Sequence, residues 1–298
     1  MLRRVLARCA LVAFPATALA QGDFADTVIE SQDLASGVYL LTGAGGNMGL
    51  CVGDDGAFLI DDQFAPLTEK ILAKIKTLTD KDVRFVINTH WHGDHTGGNE
   101  NLGNAGVAII AHENVRVRLT TDQVMEVFGR EVPAAPHAAH PVITFTENIS
   151  FHLNGRTIRV SHPANAHTDG DAFIYFEEAN VLHMGDVFFH GMYPFIDTGS
   201  GGSIQGVIAA VETALGMSDD ATKIIPGHGA LASKTDLQAY LGVLQGVRDA
   251  ILPLVKAGKS VDEIVAADPL AKWNEAWGQG FMKPDVFTRI VAGSLGAK

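Results

Sequence analysis

The stretch THWHGDHTGG, Thr89–Gly98, places three histidines and one aspartate within six consecutive positions. Histidine is the commonest metal ligand near neutral pH, and aspartate adds an anionic oxygen. The stretch follows VRFVINT, an apolar run typical of a buried strand. At the strand's end His90 and His92 point the same way, whereas Asp94 and His95 come after a turn at the intervening glycine. These four residues are therefore candidate metal ligands.

Three further metal-capable side chains occupy similar positions later in the chain. One loop cannot surround two metal ions, so additional ligands are expected at the ends of other strands. His167 lies in AHTDGD, directly before a predicted strand that begins at Ala172. Asp186 ends the apolar run NVLHMGD, and His228 follows the β-branched run in IIPGHG. The seven residues together predict a centre for two metal ions.

The segments around these residues predict an α/β protein. Strand groups occur in both halves of the chain with helices beside them, which favours two sheets packed together and covered by helices. We expect one domain over residues 21–298. Strands are predicted at 37–43, 48–53, 57–62, 83–89, 107–111 and 223–229, with hairpins turning at 154–155 and 179–180. Helices are predicted at 66–78, 113–128, 203–215, 234–256, 261–267 and 284–292.

The first twenty residues, MLRRVLARCALVAFPATALA, have the features of a signal peptide. A basic start precedes a short apolar run, and Ala18-Leu19-Ala20 fits the small-residue cleavage pattern. We expect cleavage after Ala20 and a periplasmic or secreted protein. The run is too short to span a bilayer, and no other stretch is long enough, so no membrane anchor is expected. Cys51, in the run GLCVG, would be the one cysteine left and is expected in the core.

Composition narrows the partners that the protein can have. Hydrophobic residues make up 47% of the 298 residues, enough for a large core. The formal net charge of −12 argues against nucleic acid or anionic lipid as a partner. The expected partner is a small-molecule substrate. The sequence does not set the oligomeric state.

The motif His-x-His-x-Asp-His, followed by His167, Asp186 and His228, resembles the metallo-β-lactamase superfamily. The order of elements is similar over nearly the whole chain after residue 20. The resemblance implies a four-layer αββα sandwich, with two mixed β-sheets flanked by helices. It also implies two Zn²⁺ ions per chain. One ion would be bound by His90, His92 and His167, the other by Asp94, His95 and His228, and both by Asp186.

The chemistry that the resemblance implies is hydrolysis. Two zinc ions roughly 3.5–4 Å apart can share a hydroxide and polarise a substrate carbonyl. Zinc lowers the pKa of bound water to about 7, so no serine or cysteine nucleophile is needed. Asp94 is the expected catalytic residue, orienting the hydroxide and passing a proton to the leaving group. Iron or manganese could occupy the same ligands. Predicted partners of the ligand imidazoles are Thr89, Thr96, Asp169 and Asp171.

The family contains several kinds of hydrolase, so the substrate has to be argued separately. Export favours a β-lactamase, and β-lactam ring opening is the leading expectation. Asp186 favours a thioesterase or lactonase of the glyoxalase II type. Members of those classes have a bridging aspartate, whereas β-lactamases often have cysteine or a non-ligand there. An iron-binding redox or persulfide-processing protein is a further alternative.

Loops near the ligands supply candidate substrate contacts. Asn47 lies in GAGGNMG between two early strands, where family members place a flap. The loop after Asp186 is rich in aromatic residues, which suits a hydrophobic substrate. From these loops we predict substrate contacts by Asn47, His190 and Tyr193. Trp91 is expected to pack beneath the site, and His183 to be satisfied locally.

Overall fold

The computed structural model describes residues 24–297, so the predicted signal peptide lies outside the described residues. No helix in this part of the chain combines the length and apolarity needed to cross a bilayer. The strands are β1 (Glu30–Asp33), β2 (Val38–Thr42), β3 (Met48–Gly53), β4 (Gly56–Ile60), β5 (Val83–Ile87), β6 (Ala108–His112), β7 (Gln123–Met125), β8 (Arg130–Val132), β9 (Ile143–Phe145), β10 (Asn148–Leu153), β11 (Arg156–Ser161), β12 (Phe173–Phe176), β13 (Val181–His183) and β14 (Lys223–Ile225). The α-helices are α1 (Thr68–Leu78), α2 (Gly93–Thr96), α3 (Asn99–Asn104), α4 (Glu113–Leu119), α5 (Ile204–Met217), α6 (Lys234–Lys256), α7 (Val261–Ala266), α8 (Ala271–Trp277) and α9 (Pro284–Ser294).

The strands form two mixed sheets and one small hairpin. The first sheet has the order β1-β2-β3-β4-β5-β6-β9 and is antiparallel up to β4 and parallel from there on. The second sheet has the order β10-β11-β12-β13-β14, and only its last pair is parallel. The two predicted hairpins are confirmed as β10–β11 and β12–β13.

Alternating side chains along the strands bring the two sheets together. In β4, Phe58 and Ile60 face the second sheet and share a core with Ile174 of β12. Leu59, between them, faces the opposite way and packs with Ile71 of α1. This period of two is what a strand buried on both faces requires. The first sheet is therefore covered by the second sheet on one side and by helix on the other.

Helices cover the outer face of the second sheet in the same manner. Phe173 and Leu182 point away from the first sheet and pack with Val207 of α5, Leu244 of α6 and Val291 of α9. The buried residues of α6 recur every three or four positions, so one stripe of the helix faces the sheet. The predicted four-layer αββα sandwich is confirmed. The expectation that Cys51 is a core residue is also confirmed, since it is fully buried between the sheets.

The prediction of a helix over 113–128 is wrong in its second half. Helix α4 ends at Leu119, and the chain then forms the hairpin β7–β8. The hydroxyls of Thr120 and Thr121 donate to Val117 O in the last turn, which competes with continuation of the helix. Gly129 has a φ of 57°, a left-handed conformation that suits the turn between the two strands.

Candidate metal centre

Seven side chains converge at the carboxyl ends of strands from both sheets. Backbone hydrogen bonds tie the loops that carry them, with Ala172 N donating to Thr89 O over 2.8 Å and Gly227 N donating to Gly185 O over 2.8 Å. The ligand-capable atoms fall into two groups, and within each group they all lie within 4.8 Å of one another. The first group is His90, His92, His167 and Asp186, and the second is Asp94, His95 and His228.

The stretch after β5 is held in shape by its own neighbours. His92 is extended and precedes α2, which carries Asp94 and His95. Thr96 Oγ donates to Trp91 O at 3.2 Å and to His92 O at 3.1 Å. It therefore orders the backbone of the turn, whereas the sequence analysis predicted that it would contact a ligand imidazole. The Trp91 side chain is buried beneath the turn, as expected.

Hydrogen bonds on the outer nitrogens decide which nitrogens of His92 and His167 face inward as lone pairs. His167 Nδ1 lies 2.8 Å from Phe195 O, which only accepts, so this nitrogen carries the proton. His92 Nε2 lies 3.0 Å from Asp197 Oδ2 and donates for the same reason. The two remaining nitrogens, His167 Nε2 and His92 Nδ1, face each other at 3.0 Å. Two facing lone pairs repel unless a cation lies against both.

His90 and His95 are oriented by one buried carboxylate and its hydroxyl partner. Asp61 Oδ2 accepts from His95 Nδ1 at 2.7 Å and from Thr89 Oγ at 2.8 Å. Because the Thr89 hydroxyl donates to Asp61, its oxygen accepts from His90 Nδ1 at 3.0 Å. The Nε2 atoms of both histidines therefore point into the centre, where His95 Nε2 faces His228 Nε2 at 3.5 Å. The prediction that Thr89 supports a ligand imidazole is borne out by this contact.

Asp186 lies between the two groups and turns one carboxylate oxygen toward each. Its Oδ2 is 3.7 Å from both His90 Nε2 and His167 Nε2. Its Oδ1 is 3.1 Å from His95 Nε2 and 3.5 Å from His228 Nε2. This is the arrangement of a carboxylate that bridges two ions.

Charge divides the histidines of the metal-free centre into two kinds. Burial lowers the pKa of His90 well below its ordinary value and that of His167 to about 4, so both rings are neutral at pH 7. Burial also acts on His95 and His228, but nearby carboxylates, Asp186 foremost, outweigh it. The pKa of His95 is raised well above its ordinary value, and that of His228 is raised to about 9.

The two carboxylates of the centre respond in the opposite direction. Burial alone would raise the pKa of Asp94, but His95 and His228 outweigh it and lower the pKa to about 2. The same two histidines hold the pKa of the buried Asp186 well below its usual range. Both carboxylates are ionised at neutral pH, which favours a cation in the centre.

The residues present fit a pair of divalent metal ions. The buried His90 Nε2 makes no hydrogen bond and points into the centre. Buried polar atoms are rarely left without a partner, so a missing ligand at this place is the physical explanation. Imidazole and carboxylate together suit zinc, and iron and manganese accept the same donors.

Two of the predicted imidazole partners have other roles. Asp169 pairs with the Arg118 guanidinium through two hydrogen bonds of 2.9 and 2.6 Å and contacts no ligand ring. Asp171 accepts from the backbone N–H groups of His167 and Thr168, so it shapes the turn rather than the imidazole. The partners that the sequence analysis missed are Asp61, Asp197 and Phe195 O.

The prediction of a substrate contact at Tyr193 is corrected by its position. Its side chain is fully buried, stacks on Phe287 at 4.8 Å and donates to Asn274 Oδ1 at 3.0 Å. Phe188 and Phe189 of the same loop are buried in the core as well. Most of the aromatic loop therefore packs inward.

Asn47 is a positioning residue for the loop that carries His228. Its amide nitrogen donates to Pro226 O at 2.9 Å and to Gly229 O at 2.8 Å, on either side of that ligand. Both amide hydrogens are thus unavailable to a substrate, and a contact through Asn47 Oδ1 stays a prediction. Asn47 O accepts from His183 Nε2 at 3.1 Å, and Gly185 N donates to His183 Nδ1 at 3.2 Å, so His183 is satisfied as expected, by a near neighbour and by a contact across the two sheets.

His190 contacts the loop that carries His228 and the start of α6. Its Nδ1 donates to Ala230 O at 2.9 Å, and its Nε2 is 3.8 Å from Asp236 Oδ1. The ring is partly exposed. Its contact with substrate stays a prediction, whereas its backbone N–H, which donates to His228 O at 2.9 Å, supports the ligand loop.

Solved structures resemble this fold at low sequence identity. A metallo-beta-lactamase from Pontibacter korlensis superposes with a TM-score of 0.61 and 22% identity, covering 73% of this chain and 99% of that one. The DIM-1 metallo-beta-lactamase superposes with a TM-score of 0.59 and 19% identity, covering 73% and 97%. At this identity the likeness establishes the fold alone.

Sequence relatives point to the same family. The "lactamase-like protein aptB" of Emericella nidulans is 30% identical over 54% of this chain and 43% of its own length. The "2,4-dinitroanisole O-demethylase subunit alpha" of Nocardioides sp. is 22% identical over 80% of this chain and 70% of its length. An "atrochrysone carboxyl ACP thioesterase" of Aspergillus terreus is 33% identical over 39% and 30%. The chain thus spans less than half the length of two of these three relatives.

Residues 41–228 match the family model described as the metallo-beta-lactamase superfamily, a segment that contains all seven converging side chains. Together with the αββα fold, this match means that the chain belongs to the metallo-beta-lactamase superfamily.

Proposed function

We propose that the protein is an exported dinuclear zinc hydrolase that cleaves an ester or thioester carbonyl. The observation that carries the proposal is Asp186, whose two oxygens face the two ligand groups at 3.1–3.7 Å. A bridging aspartate is the feature that the family's thioesterases and lactonases share and its β-lactamases often lack. Two relatives of this chain also bear the name atrochrysone carboxyl ACP thioesterase.

Each group of side chains would hold one ion. Two bound divalent ions would supply a water of lowered pKa and an electrophile for the carbonyl oxygen of the substrate. His90, His92 and His167 would hold the first ion, with their rings already neutral or oriented by an acceptor on the outer nitrogen. Asp94, His95 and His228 would hold the second, and Asp186 would contribute one oxygen to each ion.

Asp94 is the carboxylate placed to handle protons in the cleft. Its side chain is 28% exposed, whereas that of Asp186 is 5% exposed. It is ionised at neutral pH because its pKa is lowered to about 2. An ionised carboxylate at the cleft can orient the O–H of the attacking water and pass the proton to the leaving group. Phe189 stacks on His228 at 5.1 Å and so limits movement of that ring.

β-Lactam ring opening is the second candidate. It requires the same attack on a carbonyl, with an amide nitrogen as the leaving group. The names of two relatives, "lactamase-like protein", favour this substrate. Export to the periplasm or beyond, proposed from residues 1–20, would bring the enzyme to such compounds.

Parallel assays decide between the substrates. The zinc-loaded protein is tested against a short acyl thioester, a lactone and a chromogenic cephalosporin, with the Asp94→Asn variant as the matched control. We expect the thioester or lactone to be cleaved with the highest kcat/KM, and the variant to lose at least a hundredfold. Cleavage of the cephalosporin alone would move the function to the second candidate. Failure to cleave any of the three, or two iron ions in the purified protein, would contradict the proposal.

A further inference from the structure

A row of aromatic rings leads from the first ligand group to the protein surface. Phe195 stacks on the ring of His92, with centroids 5.5 Å apart and an interplanar angle of 25°. Phe128 lies against Phe195 at 5.0 Å, and Phe281 lies against Phe128 at 6.3 Å. The three phenylalanines come from three separate segments of the chain, so the row is a product of the tertiary fold. We call these three residues the phenylalanine row.

Both outer rings of the row are held from beneath but open to solvent. The hairpin that carries Phe128 is anchored by Met125 and Val127, which pack on the helix-covered core. A Cβ on Gly280 would lie 2.8 Å from Met192 Cβ, so the segment before Phe281 lies tight against the loop that follows Asp186. Phe128 is nevertheless 43% exposed and Phe281 59% exposed.

Adjacent exposed aromatic rings are candidates for a binding surface. The ring between them and the ligand His92, Phe195, is only 4% exposed, so the two exposed rings lie one buried ring away from the first ligand group. A molecule whose carbonyl sits at the metal centre would reach them with an extended substituent. An interface with a second protein copy would not require a surface next to the metal ligands. The continuity from His92 through Phe195 to the two exposed rings therefore favours the substrate as the occupant.

We propose that Phe128 and Phe281 form a subsite for an extended apolar acyl or aryl group of the substrate. This inference rests on the proposed hydrolysis of an acyl carbonyl and adds to it the class of the acyl group. Neither residue touches the reacting atoms. They would instead bind the far part of a long acyl chain. Phe128 is the second ring and Phe281 the third ring from the ligand His92.

A substrate series of increasing length tests the subsite. The zinc-loaded protein is assayed with thioesters from acetyl to decanoyl, beside the double variant Phe128→Ala/Phe281→Ala. Burial of one methylene strengthens binding by about fourfold when complete and less at a partly open wall. We expect kcat/KM of the native protein to rise about twofold to fourfold per methylene over part of the series. The double variant should lose this rise and keep its activity on the acetyl thioester within about twofold.

Two control variants separate the subsite from general surface effects. Val142→Ala removes a side chain that is 70% exposed beside β9, and should leave the whole series unchanged. Phe128→Leu/Phe281→Leu keeps an apolar surface and should retain part of the dependence on chain length. An equal loss for all substrates in the alanine variant, or a flat series in the native protein, would overturn the inference.

A binding measurement keeps the inference testable if no thioester is cleaved. Calorimetric titration with carboxylates from acetate to decanoate reports the same dependence on chain length without catalysis. If this dependence is present and is lost in the alanine variant, the subsite stands although the proposed reaction fails. If thioesters are cleaved without any dependence on length, the proposed reaction stands and the subsite fails. The inference would also be overturned if the native protein sediments as a dimer and the alanine variant as a monomer, because the surface would then be the interface with a second copy.

Discussion

Replacement of Asp61 by asparagine should weaken the metal site that contains His95 more than the site that contains His90. Asp61 is fully buried, and its Oδ2 accepts from His95 Nδ1 at 2.7 Å and from Thr89 Oγ at 2.8 Å. Its Oδ1 accepts from Thr89 N at 2.7 Å. All three groups around the carboxylate are donors. Asparagine offers one acceptor oxygen and one NH₂ group. In either orientation, the NH₂ group must therefore face at least one of these donors.

Either orientation of the new amide has a cost. With NH₂ toward Thr89 N, a buried donor is left without an acceptor, which costs about 1–3 kcal/mol. With NH₂ toward His95, the imidazole must move its proton to Nε2 and can no longer bind a metal ion through that atom. Loss of such an outer hydrogen bond lowers metal affinity about 10- to 100-fold, or about 1.4–2.8 kcal/mol.

The assay is a titration of the metal-free protein with zinc in competition with a chromophoric chelator. Asp61→Asn should weaken binding of the ion at Asp94, His95 and His228 more than binding of the other ion, because Asp61 contacts His95 directly and His90 only through Thr89 Oγ. Asp197→Asn is the matched variant, because its carboxylate holds His92 of the other group. Unchanged affinity in Asp61→Asn, or an equal effect of both substitutions on the same ion, would refute the assignment of these carboxylates.

The remaining predictions concern the same centre. Gly46→Ala would place a Cβ 2.0 Å from His95 Cε1 and should abolish binding of one ion, whereas Gly93→Ala, with no atom within 4 Å of its Cβ, should retain both by metal analysis. His95 and His228 have raised pKa values and hold protons that a metal must displace, so affinity at their site should rise from pH 6 to about 9. Calorimetry in buffers of different ionisation enthalpy should show one to two protons released with that ion, and a count near zero would contradict the charge assignment. Asn47→Ala leaves two carbonyls without a donor and should lower the free energy of unfolding by about 2–4 kcal/mol. Urea denaturation of the metal-free protein measures this change, with Gly93→Ala as the control variant.

The sequence predicts the ligands well because each of them lies in a segment beside a strand end. Parallel strands in this fold end at one edge, so His90, Asp186 and His228 meet there although they are far apart in the chain. The layers follow equally from the alternating apolar residues of strands such as β4. Both features depend on local pattern and on the general geometry of sheets.

The residues that orient the ligands are harder to predict. Asp61 carries a signal, since it ends β4 directly beside β5 in a parallel pair, and strand ends of that kind lie together. Asp197 and Phe195 carry none, because their positions depend on how the long loop after β13 folds over His92 and His167. The hairpin 123–132 was also missed, since side-chain hydrogen bonds of two threonines, and not hydrophobic periodicity, end the preceding helix.

The central claim is that seven side chains hold two metal ions bridged by Asp186. The most direct measurement is the anomalous scattering of zinc-loaded crystals at the zinc edge. The account predicts two peaks per chain, one about 2.0–2.2 Å from His90 Nε2, His92 Nδ1 and His167 Nε2, and the other at bonding distance from Asp94, His95 and His228, with one oxygen of Asp186 on each. A single peak, or two peaks without Asp186 between them, would contradict it.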